Sequence, residues 1–169
     1  GFRGEALASI AAISRIEIIS RPPENTEGYS LLATGGQKES LVEVGCPSGT
    51  SITVDELFYN VPARKKFMKS AVAEMGKITE LIEKLALARP DIAFTLYNGD
   101  KIVFRSPGGG DLYKAAQAVY GTEACKKLLA LEWTESVLLL GLISLPELNR
   151  SSRNYYSFFL NNRWFKSQQ

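Results

Sequence analysis

The chain of 169 residues contains no histidine. That excludes Ser-His-Asp and Cys-His catalysis and zinc sites with histidine ligands, all of which depend on imidazole. Any chemistry rests on carboxylates, lysines, backbone groups or a bound ligand. Cysteine is scarce: Cys46 and Cys125 stand far apart with no partner at metal-ligand spacing. They read as reduced thiols of an intracellular protein, not as a disulfide framework. No apolar run reaches the ~18 residues of a membrane helix. Val137 to Leu145 is apolar but shorter, and reads as a strand buried on both faces. No signal-peptide pattern is present. A net charge of +2 is too small to imply nucleic acid by itself.

What is present describes a folded chain. Hydrophobic residues make up 45% and charged residues 22%, a globular composition rather than a disordered one. The length suits one good-sized domain or two small ones. The chain opens on glycine inside a motif and is read as an excerpt of a longer protein. Its charge is uneven. Residues 1 to 110 carry 13 basic and 13 acidic groups, and after Glu147 no acid follows while Arg150, Arg153, Arg163 and Lys166 do. The tail is therefore locally basic, and it is rich in aromatics.

Periodicity predicts a first helix over about Arg3 to Ile13, with Leu7, Ile10, Ala11 and Ile13 on one face. Strands are expected at Arg15–Ser20, Gly28–Thr34, Ser40–Val44 and Gly49–Asp55. The polar, basic segment Asn60 to Ser70 reads as a solvated loop or short helix. A helix follows over Ala71–Ala88, capped by Ser70, with Val72, Met75, Ile78, Ile82 and Leu85 facing inward and a Glu80–Lys84 surface pair. Ile92, Phe94 and Leu96 alternate, as do Ile102 and Phe104. Asn98-Gly99 between them predicts a type I′ hairpin. Ser106 to Gly110 reads as a flexible break, dividing domains at 107/108. Beyond it come a helix capped by Asp111, a short helix near Glu123–Leu129, and strands at Ala130–Trp133, Val137–Leu145 and Tyr155–Leu160. The order is α+β, not βαβαβ.

The first seven residues carry the strongest chemical signal. Gly1, Phe2, Arg3, Gly4, Glu5, Ala6 and Leu7 stand at a helix start, where backbone N–H groups are unpaired and the helix dipole is positive. Glycine lets that backbone approach a ligand, and such an end suits a phosphate. Arg3 adds a fork of donors. Glu5 favours the dipole but opposes an anion, and reads as a helix-stabilising charge.

Gly-Phe-Arg-Gly-Glu-Ala-Leu resembles the signature of the MutL family of DNA mismatch repair ATPases. Leu57-Phe58-Tyr59-Asn60-Val61-Pro62-Ala63-Arg64-Lys65-Lys66-Phe67 is similar to the family string LFYNTPARRKF, with departures at Val61 and Lys65. Phe159-Leu160-Asn161-Asn162-Arg163 resembles the family's F-V-N-G-R, with Asn162 in place of glycine. Asparagine also tolerates positive φ, so the turn is expected to survive.

The resemblance implies the C-terminal part of a GHKL (gyrase B-like) ATPase sandwich over residues 1–107. It implies an incomplete ribosomal S5-like transducer domain over 108–169. It implies that Gly1 to Leu7 hold the triphosphate of ATP and that Thr50, after Gly49, lies on the adenine side. From the residues alone, Thr50 is an ordinary strand-entry residue. The catalytic Glu and the Mg²⁺ ligand of the family lie upstream, so no catalytic residue is assigned and the excerpt alone is expected to be inactive. Arg153, Arg163 and Lys166 are candidates for DNA-backbone contact without sequence specificity. Arg64, Lys65, Lys66 and Lys69 read first as solvated. Further implied partners are a second MutL-type subunit and mismatch-recognition and other repair proteins, with no membrane, in the cytoplasm, nucleoid or nucleus. Two other readings stay open: a type II topoisomerase-like ATPase subunit, disfavoured by the missing histidine, and a nucleic-acid-binding module without nucleotide chemistry.

Overall fold

A computed structural model describes residues 5–149, 152 and 155–165. The chain divides into two compact units, Gly1–Lys69 and Ser70–Gln169. The boundary expected at 107/108 falls inside the second.

In the first unit, helix α1 (Ala6–Ala11) leads into four strands, β1 (Arg15–Arg21), β2 (Gly28–Thr34), β3 (Gln37–Val44) and β4 (Gly49–Asp55). They form one antiparallel sheet in the order β3-β2-β1-β4. The β-branched runs of β1 and β4 suit a pleated, half-buried surface. Ile16 and Ala33, paired across β1 and β2, are buried. Helix α1 stops two residues earlier than periodicity predicts. Ser14 turns its hydroxyl back to the Ile10 carbonyl at 2.7 Å, offering the backbone an alternative to a further helical turn. A short helix, α2 (Pro62–Lys65), carries the start of the basic segment. Pro62 stands in its first turn, where a missing N–H costs nothing.

The second unit opens with α3 (Ala71–Ala88), capped as expected by Ser70, whose hydroxyl accepts from the Ala73 N–H at 3.3 Å. The hairpin β5 (Ala93–Asn98) and β6 (Lys101–Pro107) follows. Asn98 pairs with Lys101, so the turn is centred on Gly99–Asp100, with φ +58° at Gly99 alone. The turn is thus displaced by one residue from the expected Asn98-Gly99, and with positive φ at its first central residue alone it is not of type I′. A register shift after Leu96 accompanies it.

The glycine run after β6 is not a flexible break. Gly109 and Gly110 donate to the Asp91 and Pro90 carbonyls at 3.3 and 3.0 Å. At Gly108, with φ +74°, a Cβ would stand 2.7 Å from the Ala93 nitrogen. Helix α4 (Leu112–Tyr120) is capped by Asp111, whose carboxylate accepts from the Tyr113 and Lys114 N–H groups. The next helix, α5, covers only Thr122–Cys125, because Leu128 already begins β7 (Leu128–Thr134). The core gathers Leu87, Ala115, Ala116 and Cys125, with Leu112, Val119, Leu128, Leu142 and Phe159 packed against them.

Strand β8 (Leu138–Ser144) pairs with β7. It is not covered on both faces among the described residues: Leu138 and Leu140 are 61% and 58% exposed. Only Leu142 reaches the core. The strands β9 (Phe158–Leu160) and β10 (Arg163–Phe165) form a hairpin around Asn161 and Asn162. Both asparagines have positive φ, 49° and 62°, so Asn162 does keep the turn.

The inward face of α3 also differs from expectation. Val72, Ile78 and Leu85 are exposed, and Ala86, Leu87 and Ala88 are buried. Lys84, whose charged form Glu80 still favours, is not on the surface beside that residue. It is 7% exposed and donates from Nζ to Ser157 Oγ at 2.8 Å, with Nζ 6.0 Å from the Trp164 ring centroid. A pairing rule based on spacing sees only the helix surface, whereas here Ser157, just before β9, supplies a hydroxyl and Trp164 of β10 an aromatic face.

Candidate functional site

The expected anion site begins at residues whose placement is not described: Gly1, Phe2, Arg3 and Gly4 lie outside the described residues. Glu5, Ala6 and Leu7 are described, and all three are exposed. Glu5 is the N-cap of α1, and its side chain makes no capping hydrogen bond. No acidic residue occupies the first turn of α1. Among the described residues, no side chain caps the first-turn N–H groups, and uncapped N–H groups are the condition for receiving an external anion.

The other end of α1 is tightly held. The Gly36 N–H donates to the Ala11 carbonyl at 2.8 Å, and the Gly35 N–H to the Ser14 carbonyl at 3.1 Å. The Phe58 N–H donates to the Ile13 carbonyl at 2.7 Å, and Asn60 Nδ2 to the Ala12 carbonyl at 2.9 Å. The first and last of these carbonyls, at Ala11 and the C-cap Ala12, are ones that a helix end leaves without internal partners, and those of Ile13 and Ser14 lie in the turn that follows. Phe58 adopts φ +65° to reach this position. Gly35, at φ +59°, lies close to the same string, where a Cβ would stand 2.7 Å from Tyr59 Oη. The Leu57–Asn60 string is therefore the support of the helix that the first string begins. Sequence reasoning saw both strings and missed the link, because the Asn60 contact spans 48 residues and leaves no periodic trace.

Thr50 stands on β4, opposite Ser20 of β1, and their hydroxyls lie 2.8 Å apart. It borders a hollow of about 300 Å³ lined also by Ile19, Cys46, Pro47, Ser48, Gly49 and Ser51. The start of β1, next to α1, pairs with Asp55 at the far end of β4. Thr50, opposite Ser20, thus stands five residues along the sheet from the Arg15–Asp55 pair at the start of β1, roughly 17 Å at ~3.3 Å per residue.

Of the proposed DNA contacts, Arg163 is exposed on β10, and Arg153 and Lys166 lie outside the described residues. Around Arg163 the rings are partly open: Phe158 lies 6.3 Å from Tyr156 and 6.0 Å from Phe165. Arg64, Lys65, Lys66 and Lys69 are exposed, as expected of a solvated segment. Beneath the hairpin, burial holds the Lys84 ammonium below the usual lysine range, with Glu80 and Glu83 opposing the shift. Burial likewise raises the Tyr120 phenol, against its hydrogen bond with Ser157. Among the described residues no helix is long and apolar enough to cross a membrane.

With the sheet, the supported helix and the hairpin established, the chain can be placed. It superposes on the Aquifex aeolicus MutL ATPase domain complexed with ADP with a TM-score of 0.82 and 30% identity, over 97% of this chain and 63% of that one. The architecture is thus the α+β fold of MutL ATPase domains. Residues 116–169 match the family described as "DNA mismatch repair protein, C-terminal domain". The chain is 42% identical over 168 residues to the DNA mismatch repair protein MutL of Desulforamulus reducens. It is 44% identical over 164 residues to that of Symbiobacterium thermophilum. It belongs to the MutL family of DNA mismatch repair proteins. It spans 26% of the length of these curated relatives.

Proposed function

We propose that this chain is the second half of an ATP-driven switch in mismatch repair. Residues Gly1 to Leu7 bind the triphosphate of ATP, and Thr50 lies on the adenine side. The observation that carries this reading is the anchoring of α1: four hydrogen bonds hold the carbonyls of Ala11 to Ser14, at and just beyond its C-terminal end, while Glu5 to Leu7 stay exposed and, among the described residues, no side chain caps the first turn. A rigid helix with an open start is preorganised for an anion. The ADP bound to the similar Aquifex domain supports the choice of nucleotide.

In the whole protein, residues 1–107 complete a GHKL-type ATPase domain and 108–169 enter a transducer domain. ATP binding closes two such N-terminal regions into a dimer, and hydrolysis reopens it. A Mg²⁺ ion, when bound, would supply charge neutralisation at the phosphates, and no residue of this chain is assigned to hold it. The chain's own part is to bind and orient the triphosphate, and the 169-residue piece alone does not turn ATP over. Arg153, Arg163 and Lys166 contact the DNA backbone, and closure couples DNA to mismatch-recognition and other repair proteins inside the cell.

The test is ATP hydrolysis by the full-length protein and its Gly4→Val and Arg3→Ala variants. Loss of turnover with raised KM for ATP is expected of both. Turnover and KM unchanged in both would refute the assignment and leave the reading as a nucleic-acid-binding module.

A further inference from the structure

The hollow beside Thr50 is bounded by the connection between β3 and β4, residues 45–48, which has no regular structure of its own. It is nevertheless fixed, and one side chain does most of the fixing. Arg21, the last residue of β1, donates from Nε to the Cys46 carbonyl at 2.6 Å and from Nη1 to the Asn25 carbonyl at 2.7 Å. A single guanidinium thus ties the β3–β4 connection to the β1–β2 connection. Its planar fork reaches two separate carbonyls at once, which a lysine ammonium on a flexible stem does less well.

Gly28 completes the fixture. The Cys46 Sγ occupies the space a side chain would take there: a Cβ would stand 2.4 Å from it. Arg21 and Gly49 are register partners, so the guanidinium's own strand position abuts the residue before Thr50.

We infer that Arg21 is a positioning residue for the base side of the nucleotide site: it sets the wall of the Thr50 hollow without touching the nucleotide. This rests on the reading of Thr50 as an adenine-side residue. Loosening the wall alters recognition of the base, whereas the triphosphate is held elsewhere, at Gly1 to Leu7. Arg21 therefore governs the ratio of ATP affinity to the affinity for inorganic tripolyphosphate. A residue that merely stabilises the fold would lower both together.

The experiment uses the full-length protein and measures the Kd for ATP and for tripolyphosphate in four forms: wild type, Arg21→Ala, Arg21→Lys and Thr50→Val. Arg21→Ala is expected to weaken ATP about tenfold, the scale of one charge-assisted hydrogen bond, with tripolyphosphate binding unchanged. Arg21→Lys keeps one of the two contacts and is expected to lose about threefold on the same scale. Thr50→Val is expected to lower the same ratio. If Thr50→Val changes the ratio and neither Arg21 variant does, the role of Arg21 is overturned while the base-side reading stands. If Thr50→Val also leaves it unchanged, the base-side reading fails, and the inference with it. An equal loss of both ligands in Arg21→Lys, which bears on the question even if Arg21→Ala does not fold, marks Arg21 as structural only and overturns the proposal.

Discussion

Asn60 donates its side-chain amide to the Ala12 carbonyl at 2.9 Å, tying the 57–67 string to the C-cap of α1, 48 residues away. Asn60→Ala removes the donor and leaves that carbonyl to water, since the site is exposed. The expected loss is about 1 kcal/mol. In thermal unfolding of the full-length protein this appears as a fall in Tm of a few degrees. Asn60→Asp should be at least as costly, because a carboxylate offers no donor to the carbonyl. An unchanged Tm in both variants would remove Asn60 from the account of how α1 is held.

Gly28 and Cys46 form a second dependent pair. Gly28→Ala places a methyl group 2.4 Å from Cys46 Sγ and 3.0 Å from the Ser20 carbonyl oxygen. Overpacking of this kind costs about 1–3 kcal/mol. Cys46→Ala should recover part of that loss in the double variant, seen as non-additive denaturation midpoints. Strict additivity would mean that the sulfur is not the obstacle.

Lys84 gives the second unit a pH dependence of predictable sign. Its ammonium is held below the ordinary value of 10.5 by burial. The folded state therefore binds this proton less tightly than the unfolded state does. Stability from this group rises with pH between the lowered folded value and 10.5, and is lost as pH falls through the folded value. Tyr120 acts oppositely: its phenol, raised above 10.0, withdraws stability once the pH exceeds that value. Urea unfolding of wild type and Lys84→Met over pH 8 to 10 isolates the lysine. The difference between them should shift toward the wild type as pH rises, and a pH-independent difference would contradict the buried ammonium.

For the hairpin at Asn161–Asn162, Arg163→Glu tests contact with the DNA backbone. Removing one phosphate contact should weaken binding to duplexes of any sequence. It should also lower the slope of log K against log salt by about 0.9. An unchanged slope would place Arg163 outside the DNA interface.

Local rules carried well wherever a contact was local. Ser70 and Asp111 cap their helices as their residue types require, and the Asn161–Asn162 turn keeps the positive φ that asparagine tolerates. The failures share a cause. Lys84 looked like half of a surface pair with Glu80, but its partners Ser157 and Trp164 are more than 70 residues away. The run from Gly108 looked flexible because glycine usually is, yet Gly109 and Gly110 are tied back to Asp91 and Pro90. At the site, the motifs of residues 1–7 and 57–67 were legible as strings. That the second supports the helix begun by the first, and that Arg21 braces the Thr50 hollow, were not. Side-chain to carbonyl bonds across a sheet have no period.

The most direct test of the central claim is amide hydrogen exchange on the full-length protein with and without ATP. Binding of the triphosphate at the start of α1 predicts strong nucleotide-dependent protection of residues 2–7. It also predicts little change at the amides of Gly35, Gly36 and Phe58, which already donate to the Ser14, Ala11 and Ile13 carbonyls. Saturating ATP that leaves exchange at residues 2–7 unaltered would contradict the account.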